Sequence, residues 1–367
     1  MEGPRACRPD ELPSLLRMIN LVFRPNGGPD MGREYPVLFS RANCPDLTII
    51  SEGGVPVAHI GVLRQSLLLD GAELVAGCVG SVGTHPEHRQ RGHAGTILDH
   101  CIERFRREGC DIFIVSGDRS LYRRAGCARA AAALYYEITP DAALLLTEGM
   151  YHVAPYRDED FDPVAAIYHS EPVRYRRPYE RFKASLDGFL AAQVKLFCVR
   201  DEADRLVAYA ATRGQNLLEW AGTRRAVAAS LHSIVTALGT DELDICLPEY
   251  DAELRGIFES RRIQGGPCTH SGTIRILSLA SIGRRIAPRI EERFAHDGAV
   301  GLKLDDAADG FEITAGGERA IITDRLAMAR IVFGRHSEWG IELPGGIRAA
   351  LQKLFPLPLP PVGFSYI

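Results

Sequence analysis

The sequence predicts an α/β to α+β protein made of two similar mixed sheets flanked by helices, followed by a smaller α+β module. Three observations carry this. Strand patterns over residues 47–84 end in a basic, glycine-containing turn and an amphipathic helix. The opening pattern of a short strand and an acid-capped helix recurs after Pro140. From Arg275 onward the pattern changes again, to a helical stripe, short strands and a capped helix. A chain of 367 residues has room for two or three domains, each with its own core.

Bulk composition excludes several classes. A formal charge of −4 argues against a nucleic-acid or polyanion-binding surface and weakly suits a cationic substrate. The nine cysteines include no CxxC pair and no ordered His/Cys cluster, so they read as reduced, buried thiols, with no metal site expected. The first residues, MEGPRACRPDELPS, are charged where a signal peptide would be apolar, and no apolar run is long enough to span a bilayer. A cytoplasmic protein without membrane partners is expected; homo-oligomeric assembly is left open.

Along the chain, a short strand at residues 5–8 leads to Asp10, expected to cap a helix with Leu12, Leu15, Leu16, Ile19 and Val22 on one face. Residues 24–45, rich in Pro, Gly and Asn, read as a loop with a short helix, a place where acceptor pockets are often lined. Strands over 47–51, 56–69 and 73–84 form an antiparallel meander with turns at Gly53-Gly54 and Asp70-Gly71. Next comes a helix with Ala94, Ile97, Leu98, Cys101, Ile102 and Phe105 at helical spacing, closed by Gly109. A buried strand at 111–115, the turn Ser116-Gly117-Asp118 and a short helix at 120–126 follow. A long strand over 128–138 is expected to close the first domain, with Pro140 at the boundary.

The stretch 79–98, VGSVGTHPEHRQRGHAGTIL, is organised for anion binding. The first backbone N–H groups of a helix have no intrahelical partner and sit at the positive end of its dipole. Arg89, Arg91 and His93 add positive character, and Gly92 and Ala94 keep the backbone open. The order Arg89-x-x-Gly92-x-Ala94, after a strand and before an amphipathic helix, resembles motif A of the GNAT superfamily of acetyl-CoA-dependent N-acyltransferases. The segment from Ser120 to Gly126, SLYRRAG, resembles that family's second signature, with Cys127 where a phenylalanine is usual.

The resemblance extends to domain order. Residues 1–139 would be the catalytic GNAT domain. Residues 140–274 would be a degenerate GNAT domain, since Trp220-Ala221-Gly222-Thr223-Arg224-Arg225, ahead of the helix over 224–238, lacks the phosphate turn. In residues 275–367, Ile282, Ile286, Ile290 and Phe294 stripe a helix around Pro288, strands fall at 300–304, 311–314 and 319–322, and Asp324 caps a helix through Ile331. This module resembles a sterol-carrier-like domain. The tandem resembles the enhanced-intracellular-survival type of acetyltransferase.

What the resemblance implies is an N-acetyltransferase that moves acetyl from acetyl-CoA, the co-substrate, to a primary amine on a cationic small molecule or a lysine. Anchoring would fall to Arg89, Gln90, Arg91, Gly92, His93, Ala94 and Gly95, with the strand edge at Val82, Gly83 and Thr84 pairing to the pantetheine amides. Tyr122 is the candidate general acid, because a phenol with a reference pKa of about 10 can protonate a thiolate of about 8.5. The strand before the phosphate turn has no carboxylate from Val75 to Thr84. By resemblance, the general base is the terminal carboxylate of Ile367, carried by the apolar tail LFPLPLPPVGFSYI; His85 and Asp118 are weaker candidates. The rival from another class is a catalytically silent acyl-CoA-binding or lipid/ligand-carrier protein.

Overall fold

Apolar residues from Val55 to Thr84 build a long antiparallel hairpin, β3 (Val55–Leu69) and β4 (Ala72–Thr84), turned at Asp70-Gly71, both with positive φ. The computed structural model describes residues 1–295 and 301–366, and the hairpin lies at the centre of its first sheet. With β1 (Glu2–Ala6), β2 (Leu47–Glu52) and β5 (Ile112–Val115), the order is β1-β2-β3-β4-β5, and the strand Thr273–Ile276 completes it, antiparallel to β5. Only β4 and β5 in this set run parallel.

Helix α1 (Leu12–Phe23) begins at Glu11 rather than at the expected Asp10 cap. The carboxylate of Glu11 makes no cap bond and instead accepts from Arg5 and Arg8. After α2 (Met31–Glu34), the next long helix is α3 (His93–Arg107). Ile97, Leu98, Cys101, Ile102 and Phe105 of α3 are buried against the sheet, as the spacing predicts. Gly109, at φ 82, ends it, with Cys110 N–H bonded to Phe105 O at 2.9 Å. All cysteines except Cys246 and Cys268 are buried, and all nine are free thiols.

The described chain falls into two compact units. The first holds Met1–Ala131, the described part of Ser271–Leu357, and Tyr366; the second holds Ala132–His270 and Pro358–Ser365. Two sequence expectations shift accordingly. The strand expected over 128–138 is Ala132–Ile138, and it lies in the second unit's sheet, between Leu243–Pro248 and Gly266–Thr269, instead of closing the first. In the first sheet the place beside β5 is taken by Thr273–Ile276, whose alternation was too short to announce a strand. The stripe from Ile282 to Phe294 is two helices, Leu279–Arg285 and Ala287–Phe294, because Pro288 starts a new one. The strands Lys303–Ala307, Gly310–Ala315 and Glu318–Ile322 form a three-stranded antiparallel sheet, and Asp324 accepts from Leu326 and Ala327 N–H to cap Arg325–Phe333. The expected strand start at Val300 lies outside the described residues.

The second unit repeats the first sheet's plan. His152–Pro155, Val194–Arg200, Leu206–Arg213 and Asn216–Gly222 are antiparallel neighbours, and Asn216–Gly222 then pairs in parallel with Leu243–Pro248. The helix Arg224–Leu238 packs Val227, Leu231, Ile234 and Val235 into this unit's core. Together the elements make a mixed α/β protein with mixed sheets flanked by helices.

Candidate functional site

The site is made by two strands that part. Strands β4 and β5 pair from Ala76–Ile112 to Val79–Val115, and Ser116 N–H still reaches Val79 O at 3.3 Å. Beyond that point β4 runs on to Thr84 beside β3 alone, through a register shift opposite Ile60, and β5 has ended. Ser81 sits in this irregularity at φ 51, a left-handed conformation that costs about 1 kcal/mol or more for a residue with a Cβ and is typical of functional sites. A wedge between parallel strands at their C-terminal ends is where such sheets bind ligands.

The wedge opens into a cavity of about 270 Å³. Ser81 and Val82 of β4 line it, with Ser116, Gly117 and Arg119 after β5. Tyr122 enters from α4 (Ser120–Arg124). Phe23, Arg24, Met31 and Tyr35, around the end of α1 and α2, face it, as does Tyr366. The ring of Tyr122 lies close enough to Gly117 that a Cβ there would come 3.1 Å from Cε2. Burial pushes the Tyr122 phenol above its ordinary 10, outweighing the opposing pull of Arg119. It is therefore protonated at neutral pH and available as a proton donor.

Just past the same end of β4, the turn before α3 is shaped by its own backbone. Arg89 Nε donates to Thr84 O at 3.3 Å, and an Arg91 Nη donates to Glu87 O at 3.2 Å. Gln90 and Gly92 take positive φ of 63 and 79. Gly92 is the N-cap and offers no side chain, and the first turn of α3 carries no acid. The leading N–H groups of a 15-residue helix are thus left for an external acceptor. His93 is buried, and its Nε2 has no partner among the described residues. Ala94 and Gly95 follow in the same first turn, and a Cβ at Gly95 would meet only Leu121, at 3.9 Å.

The remaining sequence candidates are placed as follows. Val82 lines the cavity; the Cα of Gly83 is packed toward α1, where a Cβ would come 3.0 Å from Ile19. His85 does not line it: its Nδ1 accepts from Glu87 N–H at 3.4 Å. Ligand atoms of His85, Glu87 and His88 lie within 4.8 Å of one another on this exposed turn, with the Arg91 guanidinium 3.5 Å from His88 Nδ1. Asp118 is also outside the lining and accepts from Arg129 Nε at 2.9 Å. Ile367 lies outside the described residues; its neighbour Tyr366 lines the cavity 6.4 Å, ring to ring, from Tyr35. Ser81, Gly117, Arg119 and the aromatic residues of 23–35 were not singled out from sequence. A serine in a strand of small residues gives no hint of a bulge.

The second unit handles the matching positions differently. Its helix Arg224–Leu238 opens on Arg224, whose guanidinium is bonded to Glu171 at 2.8 Å and to Asp251 at 2.9 Å. The tail residues 358–365 are held there by a buried ion pair: Glu219 accepts from Arg177, from Tyr209 OH at 2.7 Å and from Phe364 N–H at 3.1 Å, while Arg177 Nε donates to Ser365 Oγ at 3.0 Å. Gly363 has φ 45, and a Cβ on it would fall 1.8 Å from a Glu219 oxygen, so only glycine fits.

Residues 4–130, which hold the parted parallel strands and the glycine turn at the α3 N-terminus, match the family model described as acetyltransferase (GNAT) domain. Solved structures resemble nearly the whole chain. A GCN5-related N-acetyltransferase from Anabaena variabilis is 14% identical with a TM-score of 0.66, covering 96% of each chain. Eis1 from Mycobacterium abscessus is 14% identical with a TM-score of 0.64 over 99% of each chain. A GCN5-related N-acetyltransferase from Kribbella flavida is 15% identical with a TM-score of 0.63 over 97% of each. At these identities the likeness is one of fold. No curated protein matches the sequence.

Proposed function

We propose that the protein is an N-acyltransferase that moves acetyl from acetyl-CoA to a primary amine within a ternary complex. The observation that carries this reading is the parting of β4 and β5 at Val79 and Val115 into a cavity that holds the protonated phenol of Tyr122. The α3 N-terminus takes the pyrophosphate, with Arg89 and Arg91 adding charge, and the unpaired edge of β4 from Ser81 onward takes the pantetheine amides as an added strand would. The amine lone pair attacks the thioester carbonyl carbon, the C–S bond breaks, and the leaving thiolate takes its proton from Tyr122. The proton lost by the amine goes to a base, for which we favour the carboxylate of Ile367. Tyr366 in the lining supports that choice, whereas Asp118 is engaged by Arg129 and His85 stands off the cavity.

On this reading there is one cofactor site per chain, because Arg224 and its carboxylate partners fill the helix start that would form a second. Residues 140–274 are read as a degenerate GNAT domain. The three-stranded sheet and helices that follow are read as a sterol-carrier-like module, supported only by their antiparallel order and flanking helices. The experiment is coenzyme A thiol release from acetyl-CoA across a panel of primary amines, with acetyl-CoA binding measured in parallel. Binding with turnover is expected. Binding without turnover on any amine would replace this reading with that of a silent acyl-CoA carrier.

A further inference from the structure

The turn leaving β4 carries a group of side chains that acyl transfer does not use. Pro86–His88 is a single 3₁₀ turn with His85 as its N-cap. Its backbone is tied down on both sides: His85 N–H donates to Val57 O on β3 at 2.9 Å, and His88 N–H donates to His85 O at 2.9 Å. Side chains three apart on such a turn eclipse one another, so His85 and His88 present their rings on one side, with centroids 5.7 Å apart. The Glu87 carboxylate joins them, and one ligand atom from each of the three lies within 4.8 Å of the others. A second carboxylate comes from the end of β2, where Glu52 Oε2 lies 3.7 Å from His88 Nδ1.

Imidazole nitrogens combined with carboxylate oxygens suit borderline divalent metals such as zinc, cobalt and nickel. Magnesium and calcium favour all-oxygen sites, and soft monovalent copper favours thiolates. Two carboxylates balance a divalent charge. Atoms bound to a tetrahedral ion at about 2.0–2.2 Å stand about 3.3–3.6 Å from one another, so these ligands close by about 1 Å to hold one. Side-chain rotation supplies that movement, while the tied backbone keeps both rings on the same side. One neighbour opposes the ion. An Arg91 Nη lies 3.5 Å from His88 Nδ1, the far limit of a hydrogen bond, and its positive charge repels a metal bound there. Arg91 is exposed, so its long side chain swings into water at small cost.

We propose that His85, Glu87 and His88, with Glu52 as a fourth ligand, form a binding site for a divalent transition metal of the zinc class, and that the ion competes with Arg91 for His88. The site uses none of the cysteines whose spacing led to the expectation of no metal. It stands whether or not the protein transfers acyl groups, because none of its ligands lines the cavity that holds Tyr122.

The test titrates the full-length, untagged protein with Zn²⁺ by calorimetry at pH 7.5 and with Co²⁺ by absorption, which reports the ligand type. One ion per chain is expected, with no thiolate charge-transfer band. Such a band would instead mark the Cys246 and Cys268 pair, whose Sγ atoms lie 3.1 Å apart. His85→Ala and His88→Ala should each weaken Zn²⁺ at least about tenfold, since even losing a supporting partner of a ligand costs that much. Arg91→Gln should tighten it at least about threefold by removing a like charge. A gain of affinity does not arise from misfolding, so this variant decides the matter even if a histidine variant fails to fold. Wild-type affinity in both histidine variants, a thiolate band, or unchanged or weaker binding in Arg91→Gln overturns the proposal.

Discussion

Val79 and Val115 face each other as the last paired residues of two parallel strands, and past them only one strand continues. The cavity at the site is therefore a gap in a sheet and is not carved out by large side chains. Its polar wall is backbone and small residues, Ser81, Ser116 and Gly117, which lets a ligand come within hydrogen-bond range of the main chain.

The proposed anchoring of the cofactor by the turn before α3 makes a specific demand at Gly92, held at φ 79. Gly92→Ala should cost about 1 kcal/mol of local strain. That strain is expected to weaken coenzyme A about fivefold and leave pantetheine, which lacks the pyrophosphate, unchanged. Calorimetric titration of both ligands checks this, and equal losses would place the turn's role elsewhere.

In the second unit, Arg177 and Glu219 are 4% and 5% exposed. Arg177→Met leaves a buried carboxylate uncompensated and is expected to cost about 3–5 kcal/mol in denaturant unfolding, while Arg177→Met with Glu219→Leu recovers most of it. Because Phe364 and Ser365 bond to this pair, the single variant should also speed carboxypeptidase trimming of the tail. Unchanged trimming would separate tail anchoring from the ion pair.

His59 sets a pH dependence of stability. Burial pushes its imidazole down from 6.5 to about 3, only partly offset by the bond between Nδ1 and Thr48 O. The folded chain keeps it neutral while the unfolded chain takes a proton below pH 6.5, so stability falls as pH drops from about 6.5 toward 3. Between pH 7.5 and 5.0 this amounts to about 2 kcal/mol. Urea unfolding at the two pH values should show that loss in the wild type and about 2 kcal/mol less of it in His59→Gln. An identical pH dependence in both would mean His59 is not held neutral.

Much of the first sheet was legible because the apolar strand runs over 47–84 are bounded by the turns at Gly53-Gly54 and Asp70-Gly71, and the α3 stripe has a single period. The turn from Arg89 to Gly95 was legible because glycine and cations there have local causes. What escaped sequence was non-local. Whether residues near 132 or near 273 fill the place beside β5 is decided by pairing across more than a hundred residues, and neither segment's own pattern announces it. The Asp10 cap failed because Arg5 and Arg8 draw Glu11, one residue later, into an ion-pair cluster. Among the pocket's aromatic residues, Tyr35 was hidden in the loop over 24–45, whose composition marks a loop and says nothing about which ring turns inward.

Acid catalysis by Tyr122 is the claim on which the reading of the site turns, and kcat of Tyr122→Phe for acetyl transfer, taken with its coenzyme A Kd, tests it most directly. Loss of the phenol proton is expected to lower kcat by about 10²–10³-fold with Kd within about twofold of wild type. A wild-type kcat in Tyr122→Phe would contradict it.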